Sequence, residues 1–440
     1  MHQLLSSIAV IIPRFQSQFN IQMQQQGTDS KPTYMNFTAI LLVLALVFFE
    51  WLDFSLYLYL AKSTFAKEFF PASSYSLMLS FALFAAAYLV RPIGGWIFGG
   101  KADRSGRRAP MIYSAILMGL ATLGICLLPT YNQVGLWATW GLLLLRMAQA
   151  LALGGEINTS AMFLVEHHAN QPLLAGSFTA ASAALGMFTG GMLATVLQVS
   201  HAQGCWRWIF ASVALLSLGL CVLRKKLFES PEFESNRLRV GFTWSKNWRG
   251  IINIAVLGTY VSVMVYICNV FWVSFAIDAG IWGAVQCSWI GSLAQLASAF
   301  AAIPIAYYSR PSQASRLLQT SMLILMMAAP LLFYFTIQQQ KAAVLLCLAG
   351  YVFSNGFLCA ALYYYLYLQL PTSCRCRGVS TSWALAASLG AISLPIAEQA
   401  KIVGLLWLPG LIVSATAFMA FVLIAMPRST PALDTQLGIN

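Results

Sequence analysis

The chain has 440 residues, of which 59% are hydrophobic and 9% charged, whereas a soluble domain carries about 25% charge to solvate its surface. That composition excludes a water-soluble globule and leaves short loops as the only place for polar residues. The formal net charge of +12 does not indicate nucleic-acid binding, because the basic residues are segregated by loop rather than gathered in one patch.

Residues 1–35 join a short apolar stretch, Leu4–Ile12, to a Gln-rich polar tract. The stretch is too short to span a bilayer and lacks the basic start of a signal peptide. It reads as a disordered extension, with Met35 as an alternative start. Twelve apolar segments follow, at roughly 36–61, 74–98, 109–129, 134–163, 172–198, 206–226, 250–277, 282–306, 315–337, 342–368, 379–400 and 402–426. Each approaches or exceeds the roughly 20 residues that cross about 30 Å of hydrocarbon. The long basic connection at 227–249 contains Glu229-Ser230-Pro231-Glu232, a helix-start pattern. It divides a six-helix half, 36–226, from a second one, 250–426, before a tail at 427–440. The expected fold is thus an all-α membrane protein of twelve transmembrane helices.

Of the 25 Lys and Arg, 18 fall in the tails and in alternate loops. Four (Lys62, Lys67, Lys341, Lys401) fall in the opposite loops and three (Arg91, Arg146, Arg207) within helices. Basic loops stay inside, so both termini are expected in the cytoplasm of a bacterial cell whose inner membrane the chain crosses many times.

Charge inside a helix costs at least about 2.5–3.5 kcal/mol at the bilayer centre and should face a partner or a wet cavity. Glu50 and Asp53 are three apart on one face of the first span, with Tyr57 one turn beyond. Two nearby buried carboxylates are suited to binding and releasing a proton. Arg146, Gln149 and Glu156 fall at about 0°, 300° and 280° around the fourth span, one stripe. Arg146 is expected to pair with Asp53, either as a coupling element or as a static clamp between helices. Glu156, after two glycines, suits a structural or gating role. Arg91 offers a fork for a carboxylate or is a kink partner beside Pro92; Arg207 offers the same fork or is an interfacial anchor between Trp206 and Trp208. The second half offers aromatics instead, among them Tyr260, Tyr266, Trp272, Tyr363 and Trp383, which suit packing or a quaternary ammonium group. His167 and His168 read as a solvated loop pair. The nine cysteines lie mostly in apolar helices, and no metal-ligand cluster, nucleotide loop or nucleophile elbow occurs. No metal, cofactor or enzymatic activity is expected.

The loop after the second span reads Gly94-Gly95-Trp96-Ile97-Phe98-Gly99-Gly100-Lys101-Ala102-Asp103-Arg104-Ser105-Gly106-Arg107-Arg108. Gly95 and Gly99 permit close helix approach, and Asp103 suits the positive N-terminus of another helix. Arg104, Arg107 and Arg108 hold the loop at the interface, with Gly106 between them. This stretch resembles the loop signature of the major facilitator superfamily. Glu50-Trp51-Leu52-Asp53-Phe54, Phe69-Phe70-Pro71, Arg91-Pro92-Ile93-Gly94-Gly95, Arg146 with Gln149, Trp206-Arg207-Trp208 and Glu229-Ser230-Pro231-Glu232 resemble the metabolite:proton symporter family within it.

The resemblance implies two six-helix halves around a central site, and proton-coupled import of a small carboxylate or zwitterion such as an organic acid, amino acid or betaine. By their own chemistry, Arg91, Tyr57, Gln149 and Arg207 are the candidate solute contacts of such a site, and Asp53, Glu50 and Arg146 its candidate coupling cluster. Solute, protons and the lipid bilayer are then the partners, for a chain acting as a monomer without nucleic acid. An exporter on the same fold, or a non-transporting sensor, is the alternative. Two departures stand out: Lys62 occupies a place where the family often has proline, and the segment Tyr307–Arg316 lacks the acid of the family's second loop motif.

Overall fold

The computed structural model describes residues 37–72, 75–168, 170–199, 203–224 and 244–426, and every regular element among them is helical. The amino-terminal extension, the Glu229-Ser230-Pro231-Glu232 segment and the carboxyl tail lie outside those residues. Among the described residues, eleven helices are long and apolar enough to cross a bilayer. The segment expected at 206–226 forms the helix Trp206–Arg224, whose apolar stretch, Trp206–Val222, is shorter than those eleven. In hydrocarbon every backbone donor and acceptor must be met within the protein, so apolar runs become helices. Their hydroxyls turn back onto the same helix: Thr159 Oγ1 donates to the Gly155 carbonyl at 2.6 Å and Ser298 Oγ to that of Ala294 at 2.9 Å.

Helix boundaries shift from expectation where local chemistry extends or breaks a turn. The helix expected from residue 250 begins at Trp244, and its first turns carry Arg249, stacked over the Trp248 ring at 5.4 Å. The stretch expected as 379–400 is two helices, Arg375–Ala391 and Ser393–Val403, and the last helix is Leu408–Ala425.

Prolines locate the other irregularities. Pro330 stands inside Ala314–Ile337 and cannot donate to the Met326 carbonyl one turn back; Ser414 Oγ of the last helix donates to that carbonyl at 2.7 Å. Pro92 leaves the Tyr88 carbonyl open in the same way, where the second span breaks between Ser76–Tyr88 and Arg91–Ser105. Ser388 Oγ, from the far half of the sequence, takes that carbonyl at 2.5 Å. Two π-helical turns, Ala61–Phe65 and Tyr266–Phe271, occupy matching places late in the first long helix of each half.

The halves of the sequence meet along two seams. Arg91–Ser105 packs on Arg375–Ala391, and Pro172–Val199 packs on Ala284–Tyr308 and Lys341–Tyr367. Charged residues gather at the two ends of the bundle, called here the Asp103 end and the Asp278 end, and in one layer between them.

Candidate functional site

The layer between the ends is built on the first helix, Phe37–Leu60, which carries Glu50, Asp53 and Tyr57, all buried. Asp53 meets two other helices. From Leu136–His167, Gln149 Nε2 donates to Asp53 Oδ2 at 2.8 Å, and from Arg108–Leu127, Thr122 Oγ1 lies 3.2 Å from Asp53 Oδ1. Gln149 Nε2 also lies 2.8 Å from Thr122 Oγ1, while Gln149 Oε1 accepts from Arg146 Nη1 at 2.8 Å. A guanidinium only donates and a carboxylate only accepts, so these two partners fix the orientation of the amide between them. The expected Asp53–Arg146 salt bridge is therefore absent among the described residues. One turn of helix separates Arg146 from Gln149, and the shorter side chain reaches Asp53 first. Arg146 spreads its charge over the ring of Tyr57, 4.1 Å away, and that of Phe84 at 5.6 Å. Tyr57 is held in turn by its hydroxyl, which donates to the Ser80 carbonyl at 3.1 Å.

Arg91 is 3% exposed and lies over the Tyr88 ring at 5.1 Å, and among the described residues no hydrogen-bond partner meets its Nε. Tyr88 stands within electrostatic reach of Arg91, Arg146 and Asp53, and its ring joins those of Phe54, Phe84 and Tyr266 in one aromatic cluster. Two buried guanidiniums thus share an aromatic wall with Asp53, whose hydrogen bonds are given by Gln149 and Thr122, while Glu50, a second buried carboxylate, stands with Arg91 within electrostatic reach of Tyr363. Glu156 sits toward the Asp103 end and accepts from Ser114 Oγ at 2.8 Å. Arg207 lies outside this layer: it pairs with Glu68 at 3.1 Å, donates to the Leu128 carbonyl at 3.2 Å and stacks on Trp206 at 4.4 Å. That is the arrangement of an anchor near a bundle end.

At the Asp103 end the loop motif closes the two halves against each other. Asp103 accepts from the backbone N–H groups of Cys376 and Arg377, at 3.0 and 2.9 Å, which open the helix Arg375–Ala391. An acid there meets both the free N–H groups and the positive end of the helix dipole. Gly95 and Gly99 allow that approach, since a Cβ on either would stand 2.7 Å from the carbonyl oxygen of Ser380 or Cys376. Gly106, at φ +97°, turns the chain so that Arg107 points inward. Arg107 is fully buried and donates to Glu166 Oε1 at 3.0 Å, and Arg375 donates to the same oxygen at 3.0 Å. Burial alone would disfavour the Arg107 cation, but the Glu166 carboxylate keeps it firmly protonated. Arg104 is exposed and Arg108 half-buried.

Glu166, Thr122 and Arg375 are the residues that sequence reasoning passed over. Thr122 gives no signal beyond a hydroxyl in an apolar helix, and Arg375 counts there only as a loop cation. Glu166 stands beside His167 and His168, and the solvated pair expected at those histidines is instead packed. His167 is buried, with Nδ1 2.7 Å from the Phe163 carbonyl and its ring on that of Phe163, because its helix runs on to His167.

A family model for the Major Facilitator Superfamily matches residues 43–395. The alpha-ketoglutarate permease of Escherichia coli (strain K12) is 34% identical over 208 residues, covering 46% of this chain and 48% of that one. A putative proline/betaine transporter of Staphylococcus aureus (strain N315) is 35% identical over 198 residues, 42% of each chain. The inner membrane metabolite transport protein YhjE of Escherichia coli (strain K12) is 33% identical over 251 residues, 52% of this chain and 56% of that one. The matches thus span about half the length of these relatives. Among solved structures, the proton:xylose symporter XylE bound to 6-bromo-6-deoxy-D-glucose superposes with a TM-score of 0.72 at 15% identity, covering 88% of this chain and 94% of that one. The human organic anion transporter MFSD10 does so at 0.67 and 14%, covering 90% and 100%. At such identities the superpositions establish the fold alone.

Proposed function

The chain belongs to the Major Facilitator Superfamily, and on that premise we propose that it is a proton-coupled importer of a small carboxylate or zwitterion, working by alternating access. Twelve spans would place both termini, and the Asp103 end, in the cytoplasm of a bacterial cell, with the chain acting as a monomer in the inner membrane.

The observation that carries this reading is the buried chain Asp53–Gln149–Arg146. With Asp53 ionised, its charge opposes that of Arg146 through one amide. Protonation of Asp53 removes that countercharge and leaves the buried Arg146 guanidinium uncompensated, beside Arg91 on the same aromatic wall. An uncompensated buried charge costs about 3–5 kcal/mol, or about two to three and a half powers of ten in affinity. A solute carboxylate that enters with the proton restores neutrality, so proton and solute favour each other's binding. Release of the proton into the cytoplasm returns the charge to Asp53, which competes with the solute for Arg146. The Asp103 clamp and the Glu166 bridge hold the cytoplasmic end shut while this layer faces outward. The likeness to an alpha-ketoglutarate permease and to proline/betaine transporters supports the solute class.

The test is uptake into proteoliposomes of the purified full chain under an imposed pH gradient, with alpha-ketoglutarate, proline and betaine as probes. Asp53→Asn should abolish accumulation while leaving solute equilibration down its own gradient. Full gradient-driven accumulation by Asp53→Asn would sink the coupling role.

A further inference from the structure

Between the halves at the Asp278 end lies a cavity of about 260 Å³, lined by none of the residues of the buried Asp53 layer. Its walls come from both halves, and both π turns contribute to them through Lys62, Ser63 and Val270. Extra turns of this kind recur at functional sites because they re-aim side chains within a helix. The apolar part of the wall includes Leu58, Phe81 and Val273; the polar part holds two lysines, Lys62 and Lys67, with Thr195 and Ser274. Ser274, which is 8% exposed, contributes to the wall, but its Oγ is itself buried and meets no hydrogen-bond partner among the described residues.

The charges around this cavity do not balance. Asp278 takes Lys62 at 2.5 Å and Lys401 at 2.8 Å, and Lys401 also takes Glu398 at 2.6 Å. Lys62, Lys67 and Lys401 therefore share two acids, and Lys67 pairs with neither. Lys62 reaches Asp278 from the opposite half of the sequence, so the mouth is bridged by an ion pair that a second anion can contest. Beneath it, the Tyr59 hydroxyl donates to Asn269 Oδ1 at 2.6 Å, again between halves. Tyr59 precedes Lys62 by about 4.5 Å of helix and follows Asp53 by about 9 Å, so this bond stands between cavity and buried layer.

We propose that this cavity is a first binding site for a carboxylate solute, distinct from the Arg91–Arg146 layer and reached before it. Lys67 and Lys62 hold the carboxylate, and the solute draws Lys62 away from Asp278. Parting of that ion pair and of Tyr59–Asn269 then opens the way inward. The site selects net anions over zwitterions, since a zwitterion brings its own cation to the lysines. The inference rests on the transport reading above and refines its solute class.

The experiment is thermal stabilisation of the purified full chain by alpha-ketoglutarate in nanodiscs of phosphatidylcholine, whose headgroups carry no net charge to compete. Arg91→Gln weakens the inner site, where Arg146 remains, so the part of the stabilisation that responds to salt and to the lysines reports the outer site. It should persist at about 0.05 M salt and fade at about 0.3 M, because the lysines are exposed and screened. Adding Lys67→Gln, and separately Lys62→Gln, should each weaken the half-saturating concentration by about threefold, the scale of an exposed ion pair. Betaine should show no such salt dependence. The inference falls if Arg91→Gln abolishes every effect of alpha-ketoglutarate, or if both lysine changes leave the residual effect intact. Lys67→Gln disturbs no ion pair, so it decides the matter should Lys62→Gln fail to fold. Transport itself is read by the proteoliposome assay, so failure of the outer site and failure of the transport reading are told apart.

Discussion

Gln149 donates to Asp53 at 2.8 Å with one end of its amide and accepts from Arg146 at 2.8 Å with the other, so a neutral side chain carries the link between two buried charges. A direct ion pair would lock the first and fourth spans together. An amide between them keeps the two charges in communication yet lets each be released separately, as the proposed transport cycle would require.

Replacing Gln149 by Leu removes a donor to Asp53 and an acceptor for Arg146 at once. Each unmet buried group costs about 1–3 kcal/mol, more where charge is involved. Uptake driven by a pH gradient should fall more than tenfold, with a lower melting temperature in detergent. Uptake near the parent level would show that the amide is packing only.

Closure at the Asp103 end should fail in graded fashion. Gly95→Ala places a methyl against the Ser380 backbone, which cannot rotate aside. Asp103→Asn leaves the shape intact but removes a charge worth about 0.3–1 kcal/mol at a helix N-terminus. Labelling of a cysteine introduced deep on the Asp103 side should quicken in both variants, and more in Gly95→Ala. Equal labelling in the parent and both variants would count against a clamp.

The Ser414 bond exists because Pro330 lacks an N–H. Ser414→Ala alone should lower stability by about 1 kcal/mol, read as a fall in melting temperature. In a Pro330→Ala background the new N–H can serve the Met326 carbonyl, and the same serine substitution should cost measurably less. Additive losses in the double variant would break the argument.

A pH dependence follows from His168, which lies just beyond the helix ending at His167. Burial holds its imidazole below the ordinary value, opposed by its bond to the Leu164 carbonyl and aided by the neighbouring His167. A folded state that resists protonation keeps its full stability above the ordinary pKa of about 6.5 and loses it as pH falls below. Melting temperature should therefore decline on acidification, and His168→Gln should flatten that decline. An unchanged slope would assign the acid sensitivity to other groups.

The sequence alone determined what depends on solvent and chain-local geometry. Long apolar runs must become helices in hydrocarbon, and the 3.6-residue period puts Glu50, Asp53 and Tyr57 on one face and Arg146 with Gln149 on another. The Gly95, Gly99 and Asp103 spacing likewise foretold close contact with a helix N-terminus, although not that the helix begins at Arg375. Tertiary structure decided which charges meet. Reach and crossing angle, invisible in spacing, put Gln149 rather than Arg146 on Asp53, turned Arg207 to Glu68, and brought Arg107 and Arg375 to one oxygen of Glu166. The same is true of Lys62: in sequence it is a departure from a family pattern, and only the packing of the two halves sets it against Asp278, 216 positions away.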